Sequence, residues 1–176
     1  MPHVGPWSGW RRFAVDGGGA SAVEFALIIP VLLTILFAII KFGLIFNNYV
    51  ELANGTRASA RQFALARGDS TSGTMGPWTA AVSALKSSAP NLNHAQLTIT
   101  LQVPAGSSSP CASDLASNTA NVTTYNASCA TALANAAGAP ASVTAVYAPN
   151  PCSFNVMGIN ILPNCTMSSN TTELVE

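Results

Sequence analysis

An apolar stretch near the start of the chain limits the folds open to this sequence more than any other feature. Residues 25–40 carry no charge, and after Lys41 the stretch continues to Phe46, which gives 22 residues with one interruption. At a rise of about 1.5 Å per residue, a helix of that length crosses the roughly 30 Å hydrocarbon layer of a membrane. Lys41 lies near the far end, where its aliphatic stem lets the ammonium group reach the interface. The stretch therefore predicts one transmembrane helix.

A buried core helix is the alternative explanation for this stretch. It would need a large apolar shell, but the residues after Phe46 are rich in Ala, Ser, Thr and Asn, whose side chains are small or polar. Such a segment cannot surround so apolar a helix with the side chains that usually fill protein interiors. We therefore expect lipid, rather than the rest of the chain, to cover it.

The composition argues against an enzyme and against a nucleic-acid-binding protein. Seven Lys and Arg residues balance seven Asp and Glu residues, so the chain offers no basic surface for phosphate groups. The two histidines, His3 and His94, are far apart in the sequence, and no Ser–His–Asp pattern or metal-ligand spacing accompanies them. We expect no catalytic residue, no metal, no cofactor, no nucleic acid and no small-molecule substrate.

Four cysteines follow the apolar stretch, at spacings of 18, 23 and 13 residues: Cys111, Cys129, Cys152 and Cys165. The absence of a Cys-x-x-Cys pair argues against zinc and thioredoxin-like sites. An even number of cysteines in a segment rich in Pro, Gly, Ser and Asn instead predicts two disulfides and an oxidising compartment, with three pairings possible. Because the Lys and Arg counts on the two sides of the span are nearly equal, the cysteines decide the orientation. The C-terminal part is expected outside the cytoplasm.

Helical patterns extend beyond the membrane. Residues 47–67 are rich in Ala, Leu, Gln and Arg, and their apolar residues follow a loose helical spacing. Gly55 weakens this extension but need not end it, whereas the Gly- and Ser-rich residues 68–73 predict a stop and a loop. Pro77 suits the first turn of a second helix, which we expect over residues 77–86.

Three strands are predicted in the C-terminal part. Residues 96–103 alternate polar and apolar side chains without error, which is typical of a strand with one face on a core and one in water. Residues 141–147 are rich in β-branched and aromatic side chains, and residues 165–175 form a weaker strand that returns to the sheet. Residues 105–140, dominated by Ala, Ser, Asn and Thr, are expected to form loops held by cysteines rather than a regular element.

These elements predict an α+β protein: a long N-terminal transmembrane helix that continues into a small antiparallel-sheet domain with disulfides. We expect a leader peptide at residues 1–19, whose two arginines keep it in the cytoplasm, followed by the transmembrane helix at residues 20–46. The membrane-proximal extension at residues 47–67 leads to a small α+β extracytoplasmic domain at residues 68–176.

A short motif directly precedes the apolar stretch. The sequence GGGASAVEF, at residues 17–25, places a glycine, four residues and then a glutamate at the start of an otherwise uncharged span. This spacing is typical of a prepilin peptidase site, because glycine leaves the scissile backbone open to an intramembrane aspartyl protease. Cleavage after Gly19 would make Ala20 the new N-terminus and Glu24 its fifth residue.

Glu24 and Pro30 each allow two explanations. A carboxylate in a spanning helix costs up to about 2.5–3.5 kcal/mol at the centre, so Glu24 either meets a cation of another molecule or lies at the interface, where the helix dipole favours an acid. Pro30 frees the Ala26 carbonyl and can bend the helix, which would help it to leave lipid for a fibre. It could equally be a proline of the kind that membrane helices tolerate.

The residues around this motif form a longer pattern. A small-residue pair precedes AVEFAL-x-x-P at residues 22–30, and a run of Leu, Ile and Phe, a Phe-Gly pair and an Ala- and Arg-rich helix follow. Over residues 17–68, about 30% of the chain, this pattern resembles the N-terminal region of TadE-like proteins, the pseudopilins of tight-adherence (Tad/Flp) pilus systems. The sequence departs from that family at Lys41, where many relatives carry an acid.

The resemblance implies a minor pilin or pseudopilin of a tight-adherence, type IVb-like pilus. Such a protein is processed by a prepilin peptidase, spans the bacterial inner membrane once with its N-terminus in the cytoplasm, and helps to initiate or tip a fibre. Its partners would be other pilins or pseudopilins and the pilus assembly platform. The resemblance also implies that the Glu24 carboxylate meets the free α-amine of a neighbouring subunit.

Two other classes of protein fit parts of the sequence. A secreted or signal-anchored extracytoplasmic protein unrelated to pili would use the apolar stretch as a signal, although this stretch is long for a signal-peptide core and helical sequence follows it. A membrane-tethered enzyme or sensor would need a group of reactive residues that the sequence does not display.

Overall fold

The computed structural model describes residues 18–66, 76–149, 154–156, 159–162 and 166–175. The chain divides into two compact units, Met1–Phe42 and Gly43–Glu176. A 48-residue helix, α1 (Gly18–Leu65), belongs to both units. The architecture is α+β, as the sequence predicts: a long apolar N-terminal helix followed by a small antiparallel sheet with a disulfide.

In the first unit, α1 is apolar on all sides. Its Leu, Ile, Phe and Val side chains are exposed around the helix, Phe25 by 64% and Leu27 by 72%. Pro30 lies inside the helix without ending it. The helix begins at Gly18, so the last two residues of the predicted leader peptide lie in its first turn.

In the second unit, α1 becomes amphipathic. Leu52, Thr56, Ala60 and Phe63 recur every three or four residues and are buried on one face. The Thr56 hydroxyl donates a hydrogen bond of 2.7 Å to the Leu52 carbonyl, so its burial leaves no donor unsatisfied. The helix ends at Leu65, and the predicted loop at residues 68–73 lies outside the described residues.

Two further helices and six strands complete the described structure. The elements after α1 are α2 (Pro77–Ser88), a 3₁₀ turn (His94–Gln96), β1 (Leu97–Gln102), β2 (Ala112–Leu115), α3 (Val122–Ala134), β3 (Pro140–Tyr147), β4 (Phe154–Val156), β5 (Ile159–Leu162) and β6 (Met167–Leu174). A four-stranded antiparallel sheet has the order β2-β1-β3-β6, and a separate hairpin that the sequence did not predict pairs β4 with β5.

The three predicted strands are confirmed as β1, β3 and β6. The alternation in β1 buries Leu97, Ile99 and Leu101, while the threonines between them lie on the other face. β3 is the central partner: it pairs with β1 on one side and with all eight residues of β6 on the other. The strand period thus sets which face of the sheet carries the core.

The expectation that residues 105–140 form loops is wrong, because this segment contains β2 and α3. In α3, Cys129, Ala130 and Leu133 share one buried face at helical spacing with Asn126. Small residues can therefore form a helix here because the helix packs on the rest of the domain. Composition alone suggested low complexity and concealed this spacing.

One contact between α2 and α3 replaces a missing local cap. Gly76, the N-cap of α2, has no side chain to accept from the first turn. The Asn126 side chain of α3 does so instead: its Oδ1 accepts from the Thr79 amide at 3.1 Å, and its Nδ2 donates to the Thr79 hydroxyl at 3.0 Å. Asn126 therefore supplies the capping interaction of α2 from another helix. A capping interaction of this kind contributes about 1 kcal/mol.

The disulfide Cys111–Cys129 joins the connection between β1 and β2 to α3. Cys129 is buried, whereas Cys111 is partly exposed. Of the three pairings that the sequence left open, the structure contains the one that joins Cys111 to Cys129. Cys152 and Cys165 lie outside the described residues.

Removal of this disulfide should destabilise the domain. The double variant Cys111→Ala, Cys129→Ala is expected to lose about 3 kcal/mol of unfolding free energy, because the bond closes a loop in the unfolded chain. Its Tm should fall by roughly 10 °C, measured by circular dichroism on the full-length protein in detergent. Ser128→Ala, an exposed neighbour on α3, is the control and should melt with the wild type. A double variant with an unchanged Tm would show that the bond does not stabilise the fold.

Gly55 lets α1 approach the end of α2 closely. A Cβ atom at this position would lie 3.2 Å from the Ala89 Cβ and 3.4 Å from the Leu85 carbonyl oxygen. The glycine that the sequence marked as a weak point of the helix is therefore a contact site, where any side chain must displace its neighbours.

A large side chain at Gly55 should separate these elements. Gly55→Leu is expected to lower the unfolding free energy by about 1–3 kcal/mol through overpacking, measured by chemical denaturation. Asn54→Leu, on the exposed side of the same turn, is the matched control and should change stability little. Equal stability of the two variants would contradict the close contact.

Candidate functional site

The predicted processing junction lies at the start of α1. A Cβ atom built on Gly19 meets no atom within 4 Å, and Ala20 is exposed. No acidic residue occupies the first turn of the helix. The first turn of a helix has amides without intrahelical partners, so the bond between Gly19 and Ala20 lies in the part of α1 that unwinds most easily.

Glu24 follows Ala20 by four residues and is the one charged residue between Gly19 and Ile40. Four residues correspond to a rise of about 6 Å along a helix, so the two residues lie on the same face, roughly one turn apart. The Glu24 side chain is exposed, and within residues 18–66 and the later described segments it makes no hydrogen bond or ion pair. The carboxylate is therefore free to meet a group from another molecule.

Pro30 lies six residues further along and is exposed. Its ring removes the amide that would otherwise donate to the Ala26 carbonyl. The Thr34 hydroxyl, four residues further along the helix, donates a hydrogen bond of 2.7 Å to the Pro30 carbonyl. The helix continues through this position, so a bend on leaving the membrane stays a prediction.

The helix that carries these residues can cross a membrane by length and composition. The most apolar stretch within Gly19–Leu65 is long and apolar enough for a membrane span, and none of it is buried by the protein. This fits membrane anchoring through the N-terminal helix. Gly19, Ala20, Glu24 and Pro30 all lie on this exposed part of the chain.

The sequence missed a polar contact that attaches the membrane-proximal part of α1 to the rest of its unit. Glu51 Oε1 accepts from Asn47 Nδ2 at 3.2 Å and from Asn91 Nδ2 at 2.7 Å, whereas Oε2 is buried without a hydrogen-bond partner in the described structure. The four-residue spacing of Asn47 and Glu51 was visible in the sequence. The contact of Glu51 with Asn91, forty residues away, could not be predicted from the sequence.

The described residues contain no group of three or more His, Cys, Asp or Glu that could hold a metal ion. Their best-connected carboxylate, Asp114, accepts hydrogen bonds from Asn118 at 2.9 Å and from the Tyr125 hydroxyl at 3.2 Å. Desolvation raises the pKa of Asp114, but these hydrogen bonds and one from a backbone amide outweigh it and lower the pKa below its usual value. The carboxylate therefore holds these side chains in place at neutral pH.

Residues 19–61 match the family model of TadE-like proteins. The matched range covers about a quarter of the chain and includes Gly19, Ala20, Glu24 and Pro30. It confirms the resemblance seen in the sequence over these residues: this part of the chain is similar to TadE-like proteins, a family of Tad pilus-associated structural proteins, and the match suggests a Tad pilus-associated protein with an N-terminal membrane-anchor helix. No curated protein and no solved structure matches the chain.

Proposed function

Because residues 19–61 match TadE-like proteins, we propose that this chain is a minor pilin, or pseudopilin, of a tight-adherence pilus. One transmembrane helix anchors it in the bacterial inner membrane, and it helps to initiate or tip a fibre. The observation that carries the proposal is a lone, exposed carboxylate, Glu24, placed one helical turn after Gly19 and Ala20 on an apolar helix.

The first proposed step is removal of residues 1–19 by a prepilin peptidase. Hydrolysis of the Gly19–Ala20 bond adds water, leaving a carboxylate on Gly19 and a free α-amine on Ala20. The open space around Gly19 supports access to the bond. Since α1 begins at Gly18, its first turn must unwind for the protease to reach the bond, and helix ends open more readily than helix interiors.

The second proposed step pairs the new α-amine with the Glu24 carboxylate of a neighbouring subunit. When two parallel copies of α1 are offset by four residues, about 6 Å along the axis, Ala20 of one copy lies level with Glu24 of the other. A charged group that is buried without a partner is strongly destabilising. When a carboxylate and an ammonium group meet inside the membrane, each serves as the partner of the other. Cleavage is thus required for assembly, because it creates the cation.

The proposed orientation places the sheet domain outside the cytoplasm. Arg11 and Arg12 precede the helix and Arg57 and Arg61 follow its apolar part, so the positive charges on its two sides are nearly balanced and leave the orientation to the disulfide. The disulfide Cys111–Cys129 supports an oxidising compartment for the opposite end of the chain. The partners we propose are the membrane, a prepilin peptidase, other pilins and the assembly platform.

The mature N-terminus tests the processing step. Mass spectrometry of the protein purified from its membrane should find a chain that starts at Ala20. Gly19→Leu should block this cleavage, since a branched side chain closes the open site, whereas Gly43→Leu, at a second glycine with open surroundings, should not. A chain that keeps Met1 would indicate a plain signal anchor, and a start beyond Phe46 would indicate secretion. Either result contradicts the proposed function.

Replacement of Glu24 tests the pairing step. Glu24→Gln keeps the shape of the side chain and removes its charge, so we expect normal cleavage but a loss of at least about tenfold from the sheared fibre fraction, because the amine is left unpaired. Immunoblots of sheared fibres and of membranes would measure both effects. Thr34→Val, which alters a polar group on the same helix, should assemble normally. Wild-type recovery of Glu24→Gln in fibres would exclude charge pairing.

A further inference from the structure

An apolar cleft separates α2 from the start of α3. Its volume is about 500 Å³, and Trp78, Val82 and Val122 are among the residues that line it. Lys86 lines the same cleft and makes no ion pair in the described part of the chain. An apolar cavity with one free cation fits an apolar side chain that has a carboxylate beside it.

The walls of the cleft are held in place. Asn118, which lines it, donates to the Asp114 carboxylate at 2.9 Å and accepts from the Ala120 amide at 2.9 Å. The Tyr125 hydroxyl donates to the same carboxylate, and the Tyr125 ring packs on Trp78 with their ring centroids 5.1 Å apart. The cleft therefore exists before anything enters it, which lowers the entropic cost of binding.

A matching surface occurs at the end of β6. Leu174 is 66% exposed, the highest value for a large apolar side chain among the described residues outside α1. Its neighbour Glu173 is exposed and, within the same described segments, has no hydrogen-bond or ion-pair partner. Successive side chains of a strand point to opposite faces, so Leu174 and Glu173 flank the end of this edge strand.

The two surfaces lie at opposite edges of the sheet. Ala116, which lines the cleft, directly follows β2, and β2 and β6 are the first and last strands in the order β2-β1-β3-β6. Leu174 and the cleft are thus separated by the width of the four-stranded sheet, and the end of β6 does not fill the cleft of its own molecule. A second copy can bring the two surfaces together.

We propose that the cleft of one molecule receives Leu174 of a second copy, with Lys86 opposite Glu173 of that copy. The occupant is argued from charge: the free cation of the cleft and the free carboxylate beside the exposed leucine are complementary. Because the two surfaces differ and lie at opposite edges, the contact is heterologous and can repeat from copy to copy. This inference does not rest on the proposed function, since it requires neither cleavage nor Glu24.

Charge reversal with mixing tests the contact. Sedimentation velocity on the full-length protein in detergent should show concentration-dependent self-association. Lys86→Glu alone and Glu173→Lys alone should each weaken it about tenfold, because each variant places like charges opposite one another. An equimolar mixture of the two variants should associate again. In the mixture, the residue at position 86 of each variant can face a residue of opposite charge at position 173 of the other variant. A monomeric wild type, or a mixture that does not recover, would overturn the proposal.

Two tryptophan variants test the cleft itself. Thr123→Trp fills the cleft from an exposed lining position and should abolish self-association, whereas Thr124→Trp, exposed but outside the lining, should leave it intact. Arg61→Glu reverses an exposed charge on α1 and should also have no effect. Circular dichroism would confirm that each variant is folded. Equal association of the two tryptophan variants, or a loss with Arg61→Glu, would place the contact elsewhere and refute the assignment.

Discussion

The apolar surface of α1 has no protein to cover it within the described residues, and the rest of the molecule depends on how that surface is covered. More than a dozen Val, Leu, Ile and Phe side chains between Val23 and Phe46 are exposed by over 40%. Burying one such side chain stabilises a protein by about 1.5–3 kcal/mol, whereas a whole domain is stable by only about 5–15 kcal/mol. Lipid or neighbouring helices must therefore surround this helix. A carboxylate on such a helix, like that of Glu24, must lie either at the membrane interface or beside a group of opposite charge.

The sequence predicted elements whose residues alternate or repeat along one segment. The eight-residue alternation of β1 and the apolar run of α1 are local patterns, and both were found where expected. The helix α3 was missed because its composition of small and polar residues hid the helical spacing of the face that it buries, which includes the disulfide-bonded Cys129. The contact between Gly55 and Ala89 likewise joins residues that the sequence keeps more than thirty positions apart.

The candidate site is local, which is why the sequence alone could propose all of its residues, whose roles stay predictions. Gly19, Ala20 and Glu24 lie within six residues, and the match to TadE-like proteins covers all of them. The cleft beside Trp78 could not be predicted, because α2, β2 and α3 each contribute part of its lining. The pairing of Cys111 with Cys129 also needed the fold, since four cysteines allow three pairings.

The unequal exposure of the two bonded cysteines makes the disulfide asymmetric towards reagents in solution. In the folded domain Cys111 is partly exposed, whereas Cys129 is buried in the core. Thiol–disulfide exchange begins when a thiolate attacks one of the two sulfur atoms. The accessible sulfur of the folded domain belongs to Cys111, so Cys129 is the thiol that such an attack would release.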